Sequence, residues 1–189
     1  KIKLIGDKSL SKRDFSRVTN PLKKFGVKFF FKKDGKLPLS LIGESNPKSI
    51  NYIESRGSAQ CKSSVMLASL NAIGTTSIKA KKSRDHSELL FKYLKIPIKI
   101  KKKTHYDLID IQKPKKINAF NYHIPGDISS SAFFLVLTTL SDNSKLLIKN
   151  VNVNPSRTGI IKILKKMNAK IGFKNQKNYR GEKIADIFV

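Results

Sequence analysis

The 189-residue chain contains an internal repeat of about 70 residues, and this repeat limits the folds open to it. At three places a predicted helix ends, one residue follows, and a predicted strand begins. The helix ends are Phe25, Leu94 and Met167, which lie 69 and 73 residues apart. A second pair of helices begins at Ser58 and Ser129, 71 residues apart. Because a fixed period marks a repeated structural unit, we predict an α/β (α+β) fold of βαβαββ units.

Hydrophobic periodicity and turn residues place the elements within each unit. The predicted helices are Ser9–Phe25 with an interruption at Asn20–Pro21, the helix beginning at Ser58, Asp85–Leu94, Ser129–Leu140 and Gly159–Met167. The predicted strands are Lys1–Ile5, Val27–Lys32, Leu37–Ile42, Ser49–Ile53, Thr75–Ala80, Ile96–Ile100, Tyr106–Ile111, Ile117–Ile124, Lys145–Lys149, Ala169–Lys174 and Ile184–Val189. These elements make more than two units but not a whole number, so we expect the chain to be a fragment of a longer protein.

The formal charge of +26 is extreme, yet it does not identify a nucleic-acid reader. Only six of the 39 basic residues are arginine, the side chain that reads bases and phosphates through two hydrogen bonds. Lysine is spread through every segment, which suggests a coding bias toward A and T. A positive field still attracts anionic ligands. A basic nucleic-acid-binding module therefore stays an alternative.

The number of cysteines and the hydropathy of the sequence indicate in which cellular compartment the protein is expected. Cys61 is the single cysteine, so no internal disulfide can form, and a reducing compartment is expected. No apolar run approaches the roughly 20 residues that span a bilayer. We expect a cytoplasmic protein that does not interact with membranes.

The stretch from Ser58 to Leu70 is the most informative local motif. Ser58 has the chemistry of a helix N-cap, because its hydroxyl can accept from a free backbone N–H one turn on. A helix N-terminus carries partial positive charge and attracts anions, and Gln60 would lie beside it with a donor and an acceptor. The alternative is an ordinary capped core helix, in which Cys61 is a small buried residue.

Six motifs, in order along nearly the whole chain, together resemble the 5-enolpyruvylshikimate-3-phosphate synthase family. The motifs are Gly6-Asp7-Lys8-Ser9-Leu10-Ser11-Lys12-Arg13, Ser58-Ala59-Gln60-Cys61-Lys62-Ser63-Ser64, Gly74-Thr75-Thr76 with Ser83-Arg84-Asp85-His86-Ser87-Glu88, Pro125-Gly126-Asp127 with Ser129-Ser130-Ser131-Ala132, Asn154-Pro155-Ser156-Arg157-Thr158-Gly159, and Gly181-Glu182-Lys183-Ile184-Ala185-Asp186. The family usually has Arg-Pro where this chain has Arg13-Asp14.

The resemblance implies an inverse α/β barrel of βαβαββ units arranged in two lobes. It assigns residues 1–123 to the first lobe and 124–189 to the second, with a hinge near His123–Asp127. The family transfers the enolpyruvyl group of phosphoenolpyruvate to the 5-hydroxyl of shikimate 3-phosphate and releases phosphate. It uses no metal and no organic cofactor. Charge stabilisation and positioning carry such a reaction.

The site residues follow from the same resemblance. Ser58, Ala59 and Gln60 match contacts to shikimate 3-phosphate, and Gln60 also matches a phosphoenolpyruvate contact. Ser83 matches a position on the phosphate side, with Arg84 beside it as an ion partner. The catalytic aspartate is expected beyond Val189. The resemblance implies phosphoenolpyruvate and shikimate 3-phosphate as partners, no nucleic acid, a monomer when full length, and no transferase activity for this chain alone.

Other interpretations remain at several positions. The sister enzyme that uses UDP-N-acetylglucosamine usually has a cysteine in the loop matching Gly6–Arg13, and this chain has none there. Arg84 could simply complement Asp85 or Glu88 along a helix. His86 is predicted to have a surface or capping role. Asp127 is predicted to cap a helix, and Arg13 and Ser156-Arg157 to lie at helix starts.

Overall fold

The computed structural model describes residues 1–189 as five α-helices and ten β-strands. The helices are α1 (Ser16–Lys24), α2 (Ala59–Ser69), α3 (His86–Tyr93), α4 (Ile128–Leu140) and α5 (Gly159–Lys166). The strands are β1 (Ile2–Leu4), β2 (Lys28–Lys33), β3 (Lys36–Ile42), β4 (Asn51–Glu54), β5 (Thr75–Lys81), β6 (Ile98–Lys102), β7 (Tyr106–Gln112), β8 (Leu147–Asn152), β9 (Gly172–Tyr179) and β10 (Glu182–Phe188). A short 3-10 helix covers Leu10–Lys12. None of the helices has the length and apolar content needed to cross a membrane.

In all three sheets the last strand lies between the two strands that precede it in the chain. This repeated arrangement confirms the predicted βαβαββ unit. The orders are β1-β3-β2, β4-β5-β7-β6 and β8-β10-β9. Strands β4 and β5 are parallel, and every other strand pair is antiparallel. The second sheet holds one whole unit. In the third, a parallel bridge between Gly126 and Val151 occupies the place of the β4–β5 pair.

The second sheet shows how the sequence produces these elements. Buried and more exposed residues alternate along β5 and β7, as expected for a sheet with one covered face. Ile78, Ile109 and Ile111 are at most 1% exposed on the covered face. Helix α2 packs on this sheet and on α1, and it contributes the fully buried Val65. This packing fixes where the N-terminus of α2 lies relative to the strand ends.

The chain divides into two compact units. The first comprises Lys1–Ser83 with Leu94–Ile117, and the second comprises Arg84–Tyr93 with Asn118–Val189. Helix α3 thus belongs by its contacts to the second unit. The core of that unit is a cluster of apolar side chains from α4, α5, the third sheet and the residues next to its strands: Ile128, Leu135, Val151, Val153, Ile161, Leu164, Ile171, Ala185 and Ile187. The hinge near His123–Asp127 remains a prediction.

Local differences from the predicted elements have physical causes. The predicted helix Ser9–Phe25 divides into the 3-10 segment Leu10–Lys12 and α1. The backbone N–H groups of Leu10 and Ser16 donate to the carboxylates of Asp7 and Asp14, and such local bonds compete with a continuous helix. The predicted interruption at Asn20–Pro21 is wrong: Pro21 lies inside α1 and is buried. No strand forms over residues 117–124.

Candidate functional site

A short turn between β4 and α2 positions Ser58. The carboxylate of Glu54, at the end of β4, accepts hydrogen bonds from the backbone N–H groups of Gly57 (2.6 Å) and Arg56 (3.2 Å). Gly57 has φ +74°, a left-handed conformation that glycine adopts without a steric penalty. Glu54 is 4% exposed, so this turn is anchored from inside the protein.

Ser58 is the N-cap of α2, as the sequence predicts. Its backbone is extended (φ −86°, ψ 107°), and its Oγ accepts from the backbone N–H of Cys61 at 3.3 Å. Ser58 and Ala59 are half-buried, whereas Gln60 is exposed at the first turn. Cys61 is buried, which confirms the core position predicted for it. The helix thus begins with polar groups, and the exposed Gln60 lies beside them.

Ser83 lies at the same end of the second sheet as Ser58. Because β4 and β5 are parallel, with Glu54 opposite Ala80, the segments after both strands leave the sheet at their carboxyl ends. The two segments lie close together: a Cβ on Gly57 would be 3.3 Å from the carbonyl oxygen of Lys82. The Ser83 Oγ is buried and has no hydrogen-bond partner. Ligands commonly bind at the carboxyl ends of parallel strands.

Arg84 is the first residue of the second unit and is half-buried. Its proposed contact with phosphate remains a prediction. The residues that follow it are fixed within that unit: Asp85 Oδ1 accepts from Nδ2 of Asn154 at 2.9 Å, and His86 Nδ1 lies 2.5 Å from Glu182 Oε1. His86 is therefore a partly buried hydrogen-bond partner of Glu182, and the surface or capping role predicted for it is wrong.

Glu182 is the centre of a buried polar network that the sequence analysis did not identify. Burial would raise the pKa of Glu182, but hydrogen bonds with His86, Asn152 and Asn154 outweigh it and lower the pKa below the usual 4.5. The Gly181-Glu182 pair stands in one of the family motifs. Its connection to His86, 96 residues away, has no local sequence signal.

A second polar cluster caps α4. The Asp127 carboxylate accepts from the backbone N–H of Ser129 at 3.1 Å, which confirms the predicted cap. Arg157 donates to Asp127 Oδ1 at 2.5 Å and to Ser129 Oγ at 2.6 Å. Arg157 lies two residues before α5, at the helix start predicted for it. Its guanidinium group also supports the start of α4 through Ser129, 28 residues earlier in the chain.

A cavity of about 250 Å³ lies beside the turn that precedes Ser58. Its walls include two arginines, Arg17 of α1 and Arg56 of the turn, together with Tyr52 and Cys61. Burial is the main cause that raises the pKa of Tyr52, and the nearby Cys61 and Glu54 raise it further. Residues 1–189 contain no group of three or more His, Cys, Asp or Glu side chains that could hold a metal ion.

Comparison with known proteins identifies the family of the chain. Residues 1–186 match the family described as EPSP synthase (3-phosphoshikimate 1-carboxyvinyltransferase). The 3-phosphoshikimate 1-carboxyvinyltransferase of Petrotoga mobilis is 39% identical over 188 residues, which are 98% of this chain and 43% of that protein. The enzyme of the same name from Bacillus subtilis is 40% identical over 186 residues, which are 97% of this chain and 42% of that protein.

Solved structures give the same result for the fold. The EPSP synthase of Acinetobacter baumannii superimposes with a TM-score of 0.82 at 35% identity, covering 99% of this chain and 42% of that one. The predicted fold class is therefore confirmed. The chain spans less than half the length of the curated relatives it matches. With a matched segment that extends over nearly all of its residues, the chain belongs to the EPSP synthase family.

Proposed function

We propose that this chain forms the shikimate-3-phosphate side of an enolpyruvyl transferase active site. In the proposed reaction, the enolpyruvyl group of phosphoenolpyruvate moves to the 5-hydroxyl of shikimate 3-phosphate, and phosphate is released. The observation that carries the proposal is the pairing of two polar segments at the carboxyl ends of parallel β4 and β5. One segment begins α2 with Ser58 and Gln60, and the other carries the unpartnered hydroxyl of Ser83.

The hydroxyl groups of Ser58 and Ser83 still have hydrogens to donate, which supports a phosphate ligand at this place. The Ser58 Oγ uses a lone pair to accept from the Cys61 N–H, so its hydroxyl hydrogen is left to donate to a phosphate oxygen. The Ser83 hydroxyl can donate in the same way. Dipoles of the first turn of α2 favour a negative charge there, and Arg84 would add a full positive charge.

Gln60 suits the position between the two substrates. Its amide has two donor hydrogens and an acceptor oxygen, and it is exposed at the helix start. We propose that it contacts both shikimate 3-phosphate and phosphoenolpyruvate. Holding two anions together against their repulsion needs such neutral donors as well as cations, and the net charge of +26 attracts both ligands.

The isolated chain is proposed to bind but not to convert its substrate. The family resemblance places the general-base aspartate, and the arginine that holds phosphoenolpyruvate, outside these 189 residues. We also propose that the whole protein is a cytoplasmic monomer that acts without a metal or organic cofactor. Phosphate release by the 189-residue chain with both substrates present would contradict the first statement.

A chimeric protein tests the proposed reaction. In the chimera, this chain replaces the matching segment of the Bacillus subtilis relative. Phosphate release is then measured with both substrates present. We expect activity in the chimera, and its loss by about a hundredfold in the chimera that carries Gln60→Ala. A chimera that is folded by circular dichroism but inactive would contradict the proposal, as would full activity after Gln60→Ala.

A further inference from the structure

The β9–β10 hairpin presents Arg180 in a fixed direction. Arg180 (φ +51°) and Gly181 (φ +90°) form a two-residue turn between Tyr179 and Glu182, with both central residues in the left-handed region. The turn sits on α3, since a Cβ on Gly181 would be only 3.2 Å from the carbonyl oxygen of Leu89. The hairpin tip therefore has little freedom to rotate away from that helix.

Three tyrosine rings surround the guanidinium group of Arg180. Its central carbon lies 5.4 Å from the ring centre of Tyr179, 5.7 Å from that of Tyr93 and 5.8 Å from that of Tyr122. Such contacts hold a cation without neutralising it. Arg180 forms no ion pair, and its buried Nη1 has no hydrogen-bond partner. An unmatched buried donor destabilises the protein, so an acceptor brought by a ligand would be stabilising.

A fixed negative charge lies two residues away. Glu182 is 6% exposed, and its two carboxylate oxygens are held by His86 at 2.5 Å and by Asn154 at 3.3 Å. A carboxylate offers about four acceptor positions. His86, Asn154 and Asn152 use three of those of Glu182, so one remains for another donor. Glu182 forms no ion pair with Arg180, so the two charges do not cancel each other.

The two charges line one cavity of about 360 Å³ within the second unit. Its other walls are mainly apolar and include Leu90, Phe120 and Ile124. Phe120 is 42% exposed and Ile124 is 81% exposed, so apolar surface is open to the cavity. This volume falls in the range of small-molecule sites, which combine apolar walls with a few polar groups.

We propose that this cavity binds a free α-amino acid with a large apolar side chain. The ligand carboxylate would pair with Arg180, its ammonium group with Glu182, and its side chain would cover Phe120 and Ile124. A ligand with only a carboxylate would leave the remaining acceptor position of Glu182 unused, and a ligand with only an ammonium group would leave Nη1 of Arg180 without an acceptor. The proposal does not depend on the transferase reaction, because none of the residues proposed to hold shikimate 3-phosphate lines this cavity.

Calorimetric titration of the unaltered 189-residue chain with L-phenylalanine tests the proposal. We expect saturable binding that weakens by about tenfold or more for 3-phenylpropanoate, which lacks the ammonium group, and for 2-phenylethylamine, which lacks the carboxylate. L-Alanine should bind more weakly still, because it lacks the apolar side chain. Absence of saturable binding by L-phenylalanine would overturn the proposal. Equal binding of 3-phenylpropanoate would also overturn it, since Glu182 would then have no part in recognition.

A pair of variants locates the site. Arg180→Gln should weaken L-phenylalanine binding by about tenfold or more, whereas Arg13→Gln, which removes an exposed arginine from the first unit, should leave it unaltered. Circular dichroism confirms that both variants are folded. Equal affinity of the two variants for L-phenylalanine would exclude the cavity as the binding site.

Discussion

Nδ1 of His86 lies 2.5 Å from Oε1 of Glu182, and this contact joins the first residue of α3 to the first residue of β10 across 96 positions of sequence. The Glu182 side chain is 8% exposed and that of His86 is 33% exposed. Asn154 extends the network by donating to both Asp85 and Glu182. These bonds hold the start of α3, immediately after Arg84, to the core of the second unit.

The network predicts an acid-sensitive contribution to stability. The pKa of Glu182 is lower in the folded protein than the ordinary 4.5, so ionised Glu182 stabilises the folded state above that pH. The contribution is lost as the pH falls through the folded pKa. Glu182→Gln should therefore lower the free energy of unfolding by about 2 kcal/mol at pH 7, and the difference should shrink below pH 4.5.

Urea unfolding of both proteins between pH 3 and about pH 7 measures this difference. Asp142→Asn, which removes an exposed carboxylate from the same unit, is the control and should leave the free energy of unfolding nearly unaltered. A Glu182→Gln effect that is equal at all pH values would show that the ionised form has no special role.

Replacing either of two glycines of the second unit with alanine should have opposite effects on stability. A Cβ on Gly172 would be 2.1 Å from the ring of Phe188, so Gly172→Ala must displace that ring and should destabilise the protein by about 1–3 kcal/mol. Gly159 begins α5 with nothing within 4 Å of its would-be Cβ, so Gly159→Ala should stabilise by about 0.5–1 kcal/mol. Thermal unfolding compares them. Equal melting temperatures for the two variants would contradict the packing described for β9 and β10.

The cap at Ser58 predicts a graded loss of stability. Ser58→Ala removes the acceptor for the Cys61 N–H and should cost about 1 kcal/mol, whereas Ser58→Gly should cost only about 0.3 kcal/mol. Ser130→Ala, at an exposed position of α4, should change the free energy of unfolding by less than about 0.5 kcal/mol. Denaturant unfolding measures all three. If Ser58→Gly were the more damaging of the two Ser58 variants, the capping role would be wrong.

The sequence allowed the repeated unit to be predicted because its signals are local. Phe25, Leu94 and Met167 each directly follow the last residue of a helix in the structure. Ser58 and Asp127 were predicted as caps because capping depends on one side chain and the next turn. The break at Asp14 was not predicted, because a helical pattern continues through it and only its hydrogen bond with the backbone N–H of Ser16 reveals the break.

Long-range contacts account for what the sequence did not reveal. The pairs His86–Glu182 and Asp127–Arg157 join residues far apart in the chain, and no periodicity encodes them. Pro21 stays helical because α1 packs against α2, which outweighs the local preference at Asn20. The cluster of Tyr93, Tyr122 and Tyr179 around Arg180 likewise depends on the tertiary fold.

Ser83 predicts a separation of stability from binding. Its buried hydroxyl has no hydrogen-bond partner, so Ser83→Ala removes an unmatched polar group and should leave the free energy of unfolding unchanged or raise it. The same change removes a proposed donor to the phosphate of shikimate 3-phosphate. A variant that is as stable as the parent but binds less tightly would identify Ser83 as a ligand contact. A clear loss of stability would contradict the unpartnered state of the hydroxyl.

Calorimetric titration of shikimate 3-phosphate into the 189-residue chain, its Ser83→Ala variant and the Ser130→Ala control tests the central proposal most directly. We predict saturable binding by the parent and the control, weakened by about tenfold in Ser83→Ala, and much weaker binding of unphosphorylated shikimate by all three. Equal affinity of Ser83→Ala and Ser130→Ala for shikimate 3-phosphate, or equal affinity of the parent for shikimate with and without its phosphate, would contradict the proposal.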